Sequence, residues 1–319
     1  MKIFKLLAPL LCAFASVASA QTYPVKPIVM IVPFAPAGGV DTMARLIAQP
    51  LGQRLGQTIV IDNRGGAGGN IGTEMAARAR PDGYTIVMGS VSPNAVNIHL
   101  YSRLGFDPIK DFEPIVYVST VPNILVVASN SPYKTAKELI DAAKAAPGKL
   151  SYGSAGVGSS QHLAAAMLGT STGTTLMHVP YKGAGIAQQD LLAGHIDFML
   201  DTTGPISFVQ SGRMRALAVA SKTRSPALPN VPTFDEAGVP GVYSSAWYGL
   251  MAPAGTPRDI VNRLNTEANA VLRDPEMKKR LAALGADMGG GTAEEFGKFV
   301  AAEVTRYADV VKASGAKLD

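Results

Sequence analysis

Residues 23–45 read YPVKPIVMIVPFAPAGGVDTMAR. Ile28 to Val32 is an apolar, β-branched run of strand length, as in a strand buried on both faces. Pro33-Phe34-Ala35-Pro36-Ala37-Gly38-Gly39 then breaks regular structure, because prolines supply no N–H and glycines accept unusual dihedrals. A helical pattern follows, with Val40, Met43, Ile47 and Leu51 at three- and four-residue spacings. Pro50 falls inside this pattern and is expected to kink or restart the helix. The loop therefore sits where a strand hands over to a helix. The helix's first N–H groups have no partner inside the helix, and its dipole favours negative charge. Two readings stay open on this stretch alone: an ordinary βα connection, or a loop that receives a carboxylate and holds no catalytic residue.

The same device recurs along the chain. Thr58 to Asp62 reads as a strand, followed by the glycine-rich loop Asn63 to Asn70 and a helix from about Ile71 to Arg80. Tyr84 to Met88 is a third strand, and a polar loop containing Ser90 and Ser92 follows it. Three strand–loop–helix units in about a hundred residues point to a mostly parallel, doubly wound sheet. From Phe112 the pattern changes. Ile115 to Val118 and Ile124 to Val127 form a long extended run with a bend, as expected of a chain crossing between domains. A capping box at Thr135 to Glu138 opens a helix. Strands at Leu150–Gly153, Thr175–Val179, Ile196–Leu200 and Met214–Ala220 then alternate with small-residue loops and helices, a second α/β unit. Ala246 to Pro253 reads as a strand that crosses back. Helices follow over Pro257–Arg273, Pro275–Leu284 and Thr292 to about Ala313. The expected division is residues 21–120 plus 246–319 against 121–245. Two connections between such domains make a hinge, with the ligand site in the cleft.

The first twenty residues stand apart. Lys2 and Lys5 precede the apolar run Leu6 to Phe14, and Ala18-Ser19-Ala20 has the form of a cleavage site, so a signal peptide cut after Ala20 is expected. The chain's one cysteine, Cys12, lies inside that segment, so the mature chain has neither disulfides nor thiolate chemistry. Of 29 basic residues, Lys2 and Lys5 leave with the signal; 27 remain against 24 acidic ones. This excess of +3 is scattered, unlike a nucleic-acid footprint.

Nucleotide and metal signatures fail on inspection. Gly66-Ala67-Gly68 meets Ile71 where G-x-G-x-x-G needs glycine, and no G-x-x-x-x-G-K-[ST] occurs. The four histidines lack ligand spacing, so neither cofactor nor metal is expected. Ser154 and Ser159 do not sit in G-x-S-x-G. A pair of either serine with His162 leaves a serine hydrolase as the alternative reading, and a ligand-sensing subunit as a third. The loops instead offer backbone N–H groups and hydroxyls from Thr42, Ser90, Ser92, Ser154, Ser159 and Thr202. Asp41 suits the helix dipole as a first-turn acid, or orients the loop or ligand. Lys182 either pairs with an anion or faces solvent. Tyr181, Phe34 and Trp247 either wall the cleft or pack in a core.

Several motifs carry a resemblance across nearly all of the chain. They are Y-P-x-K-P-I at Tyr23 to Ile28, P-F-A-x-x-G-G-x-D at Pro33 to Asp41, and N-R-x-G-A-G-G-x-x-G at Asn63 to Gly72. P-D-G-Y-T at Pro81 to Thr85, Y-G-S-x-G-x-G-S-x-x-H at Tyr152 to His162 and V-P-Y-K-G at Val179 to Gly183 complete them. The chain resembles the Bug family of periplasmic solute-binding proteins, associated with tripartite tricarboxylate transporters. The resemblance implies two α/β domains closing as a Venus flytrap on a small organic acid, a monomeric protein without catalytic residues, and inner-membrane transporter subunits as partners. It implies a carboxylate gripped between one loop, with Phe34, Ala35, Gly38, Gly39, Asp41 and Thr42, and a second, with Tyr181, Lys182, Gly183 and Ala184. Ser154, Gly156 and Ser159 contribute from the second domain. His162, Asp201, Ser90, Ser92 and Trp247 complete the candidate ligand-binding set. Arg64-Gly65 departs from the Arg-Pro common among relatives, which changes local stiffness.

Overall fold

The computed structural model describes residues 23–314. The proposed signal peptide, with Cys12 and the cleavage site, lies outside the described residues. Eleven strands form two sheets among them.

The first sheet begins with three parallel neighbours, β1 (Ile28–Val32), β2 (Ile59–Asn63) and β3 (Thr85–Ser90). Each hands over to a helical segment: α1 (Gly39–Leu55), α2 (Asn70–Ala77) and a short irregular helix spanning residues 92–99. β4 (Phe112–Pro122) then runs to the edge of this domain, and β5 (Ile124–Ala128) opens the second sheet. There β6 (Ser151–Ser154), β7 (Met177–Pro180) and β8 (Phe198–Asp201) are parallel, while β9 (Met214–Val219) lies on β5. Their helices are α3 (Ala136–Ala145), α4 (Ser160–Thr172), α5 (Ala184–Ala193) and α6 (Gly204–Gln210). β10 (Ser245–Pro253) returns to the first sheet, followed by α7 (Arg258–Arg273), α8 (Pro275–Ala283), β11 (Asp287–Gly290) and α9 (Ala293–Ser314).

The strand orders are β11-β4-β10-β3-β1-β2 and β7-β6-β8-β5-β9. The sheets are mixed where the sequence suggested mostly parallel ones. β10 runs antiparallel to both β3 and β4, and β5 antiparallel to both β8 and β9. The crossing strands impose this, since a chain that leaves a sheet and re-enters beside its exit must run the other way. The strands that feed loops toward the cleft remain parallel, so those loops gather at one end of each sheet.

Local chemistry explains the helix boundaries. Thr135 accepts a hydrogen bond from the Glu138 N–H. Thr292 and Glu295 form the reciprocal pair that opens α9. α1 ends on Gly56 in the left-handed conformation. Pro50 does not end α1, which runs through to Leu55; it removes one backbone bond on a half-exposed face. β11, with sequence DMGG, lacks the apolar alternation that marks a strand, and only its place beside β4 makes it one.

The chain crosses between sheets twice, at Asn123 and near Ser244, and these two points are bonded to each other. The Asn123 N–H donates to the Ser244 carbonyl at 2.9 Å, and Ser244 Oγ to Asn123 Oδ1 at 3.0 Å. Asn123 is fully buried and its amide also donates to the Leu200 carbonyl.

Candidate functional site

The loops after β1 and β3 face those after β6, β7 and β8, and the two sets touch. The Ala35 N–H donates to the Lys182 carbonyl at 3.3 Å. Thr202 Oγ1 and the Tyr248 hydroxyl lie 3.0 Å apart. Between the domains is a narrow cavity of about 20 Å³ whose walls include Gly38, Gly39, Ser90, Gln161, Ala184 and Tyr248. That volume holds about one water, so any larger ligand enters only when the domains part.

Three helix N-termini converge on this cavity. Gly38 caps α1 without a side-chain hydrogen bond, so the N–H groups of its first turn are available. Ser160 and Gln161 begin α4, and Ala184 begins α5 behind Gly183, which also supplies no side-chain cap. Each end carries partial positive charge. The lining includes no cationic side chain, so attraction for an anion comes from dipoles and N–H groups.

Asp41 supports the first of these loops from behind. One carboxylate oxygen accepts from the Ala37 N–H at 3.0 Å and from Arg45 Nε at 2.9 Å; the other accepts from Asn63 Nδ2 at 3.0 Å. Burial opposes its charge, but the bonds from Arg45, Ala37 and Asn63 outweigh burial and hold the carboxyl below its usual range. With these bonds made, Asp41 fixes the loop. Asn63 also donates to the Phe34 carbonyl at 3.0 Å, which places the Phe34 ring in the cavity wall.

Gly39 is required by close approach. A Cβ there would stand 2.5 Å from both Thr202 Oγ1 and the Tyr248 hydroxyl. Gly183 meets the same constraint from the other side, its Cβ position lying 2.8 Å from that of Ala35. At Gly39 the crowding comes from two side-chain hydroxyls, whereas at Gly183 it includes the Ala35 main-chain nitrogen, 2.9 Å from the Cβ position, so there glycine lets two backbones come together.

The polar residues of the site separate into distinct roles. Ser90 is buried, lines the cavity, and its Oγ has no hydrogen-bond partner among the described residues. Ser92 lines it too. Asp201 is fully buried but committed elsewhere: its carboxylate accepts from Gln161 Nε2 at 3.0 Å, Gln188 Nε2 at 2.7 Å and the Thr202 N–H at 2.7 Å. It orients Gln161, a cavity residue, and leaves the cavity itself to the amide. Thr42 is half-buried one turn into α1, its N–H already bonded to the Gly38 carbonyl. The Lys182 side chain is exposed, and the residue reaches the cleft through its carbonyl. The Tyr181 hydroxyl is held by Asp190 at 2.6 Å.

Ser154, Gly156, Ser159 and His162 flank the lining residues Ala155, Ser160 and Gln161 in the chain. Ser159 is the N-cap of α4, accepting from the His162 N–H at 3.2 Å, so their bond is a helix-start contact made through the His162 main chain. The histidine on Ser154 is His178, at 2.7 Å from Oγ to Nε2. His178 stacks between Tyr152 and His162, at centroid distances of 4.9 and 4.2 Å. Burial, and then the neighbouring His162, push its pKa down to about 3. Gly156 adopts φ 118° and brings this loop against Gly68 of the first domain.

Trp247, expected as a cleft wall, lies on the opposite face of β10. Successive strand residues alternate faces: Ala246 and Tyr248 line the cavity, while Trp247 packs edge-on against Phe296 and Phe299 of α9. Tyr248, Gln161, Ser160 and Ala155 also line the cavity, and no sequence motif marks them. The alternation of β10 could have pointed to Tyr248. Nothing local marks Gln161, whose role depends on a buried Asp201 forty residues away.

A two-domain α/β fold with anion-favouring loops in the hinge cleft is that of the periplasmic binding proteins. The chain belongs to the tripartite tricarboxylate transporter family receptors, whose family model matches residues 43–316. It is 39% identical over 306 residues to protein BugT of Bordetella pertussis, covering 95% of this chain and 94% of that one. Among solved structures, R. palustris Rpa4515 with adipate shares 37% identity at a TM-score of 0.90, covering 93% of this chain and all of that one. MatC of Rhodopseudomonas palustris with bound malate shares 33% identity at a TM-score of 0.86, covering 91% of this chain and 100% of that one. The solved periplasmic binding protein BugD shares 37% identity at a TM-score of 0.88, covering 92% of this chain and 99% of that one.

Proposed function

We propose that this receptor captures a small dicarboxylate in the periplasm and presents its closed form to inner-membrane transporter subunits, acting as a monomer after cleavage behind Ala20. The observation that carries this reading is the convergence of three helix N-termini, from both domains, on one cavity that also holds the partnerless Ser90 hydroxyl. Backbone N–H groups at helix N-termini and a free hydroxyl suit a carboxylate. Adipate and malate in the two relatives fit that chemistry. The moving bodies are residues 23–122 with 245–314 and residues 123–244, two residues later at the first boundary and one earlier at the second than the sequence suggested, turning about Asn123 and Ser244. Closure is driven only by contacts that the ligand makes better in the closed state, and walls drawn from both domains provide them.

Thermal-shift and calorimetric titration against C4 to C6 dicarboxylates, tricarboxylates, acidic amino acids and aromatic acids tests the proposal, beside an ester-hydrolysis assay. A dicarboxylate that stabilises the protein and binds at a 1:1 ratio is the expected result. Ester turnover abolished by Ser154→Ala would overturn it.

A further inference from the structure

A second cavity lies on the far side of the hinge. It has a volume of about 620 Å³, the size of a small-molecule site. The second domain contributes Leu163, Met167 and the 220–226 loop, and the first contributes Tyr307 and Val310 of α9. Ser244 and Ser245 of the returning strand also line it. Ser245 and Ala246 are strand neighbours and face opposite ways; Ala246 lines the ligand cleft and Ser245 this cavity. The hinge strand thus separates the two. α4 spans them as well, with Gln161 at the cleft and Leu163 and Met167 at the hinge cavity.

The lining has a definite chemistry. Leu163, Met167, Pro122, Pro226 and Val310 give apolar walls. Lys222, Arg224 and Arg306 supply cationic donors against a single acid, Asp287. Arg224 is paired with Glu236 and Arg306 with Glu303, whereas Lys222 is exposed and makes no ion pair among the described residues. Ser225 is 3% exposed, and its Oγ has no hydrogen-bond partner among the described residues. A buried hydroxyl left unpaired is uncommon and calls for a partner.

We propose that this hinge-side cavity is a second ligand site, taking an amphipathic organic anion: an acidic head toward Lys222 and Ser225, and an apolar body against Leu163, Met167 and Val310. Because its walls belong to both domains, the site is coupled to the cleft. A hinge that opens the cleft brings the rear walls together, so an occupant that fills the rear cavity at the width seen here holds the domains closed. By linkage it then raises affinity for the cleft ligand, and the cleft ligand raises affinity for it by the same factor. The coupling rests on the domain-closure reading above; occupancy of the site does not.

The test is titration of the folded, mature protein with 8-anilinonaphthalene-1-sulfonate, an apolar anion whose fluorescence reports binding. Saturation at one site is expected. Met167→Trp, which fills the cavity, should abolish it, and Lys222→Glu should weaken it by about fivefold, the scale of one exposed charge contact. Absence of saturable binding, or wild-type binding in both variants, would overturn the site. Lys222→Glu alters only an exposed side chain and keeps the test valid if Met167→Trp misfolds. Small-angle scattering at dye saturation reads the coupling: a more compact particle supports it, and unchanged or expanded dimensions overturn it.

Discussion

The hydroxyls of Thr202 and Tyr248 meet 3.0 Å apart across the cleft, joining the end of β8 to β10 at a point where neither residue reaches solvent. The two residues belong to different sheets, so the pair ties the domains to each other and adds no bond inside either one. Removing one partner leaves the other buried and unpaired in the closed form. Thr202→Val or Tyr248→Phe should therefore weaken binding of the cleft ligand by about 1–2 kcal/mol. The double variant should lose less than the sum of the two, as read by calorimetry.

Gly39 stands against this same pair. Gly39→Ala places a methyl 2.5 Å from both hydroxyl oxygens, and should lower ligand affinity at least about tenfold, the scale of a blocked closure contact. Gly38→Ala meets its nearest neighbour, Ala184, at 3.6 Å, an ordinary contact, and should bind within about threefold of wild type. Adding Thr202→Ala and Tyr248→Phe to Gly39→Ala relieves the crowding and should recover part of the loss. Equal affinities for the two single glycine variants would remove the close-approach account of Gly39.

Ser90 separates binding from stability. Its hydroxyl has no partner among the described residues, so Ser90→Ala should leave the melting temperature of the ligand-free protein unchanged or slightly raised. If the hydroxyl serves the ligand carboxylate, affinity falls by about 1.5–3 kcal/mol, the range for a hydrogen bond to a charged group. A fall in stability with unchanged affinity would assign Ser90 to the fold instead.

Acid should destabilise the protein through His178. Its folded pKa, about 3, lies below the ordinary value of 6.5 because burial and His162 disfavour the imidazolium. As pH falls, the unfolded chain takes the proton first. The stabilising contribution is thus complete above pH 6.5 and is lost as pH drops toward 3. Asp41, also depressed, acts with the same sign below its ordinary value of 3.8. Melting temperatures measured from pH 8 to 4 should fall, and the slope below pH 6.5 should be shallower in His178→Gln. An unchanged slope would move the effect to other groups.

Trp247→Phe should leave ligand affinity within about twofold, since the ring faces α9 and not the cleft. Calorimetric titration of the variant checks this, and a tenfold loss would return Trp247 to the site.

The backbone plan was open to sequence reading because strand composition, glycine loops and capping boxes are local signals. The loop after Val32 and the crossing near Ile124 both show this. Sheet direction was less legible: antiparallel placement of β5 and β10 follows from where the chain re-enters, a property of no single segment. The site divides in the same way. Gly38, Gly39 and Ala184 announced themselves as loop-to-helix junctions. The commitment of Asp201 to Gln161 and Gln188, and of Ser154 to His178, arises between elements far apart in the chain. Trp247 misled because an isolated aromatic carries no label for its face, although the flanking Ala246 and Tyr248 fix it once β10 is known to be a strand.

The first-turn N–H groups of α1 and α5 belong to the main chain, so ordinary side-chain substitution cannot delete them. Only proline removes such a group, and a bulkier residue at Gly39 obstructs it. On the proposed reading, in which these groups hold the ligand's carboxylate, exchanging the side chains around them, at Val91, Ala155 or Gln161, would change which acid fits and leave the grip on its charged end in place.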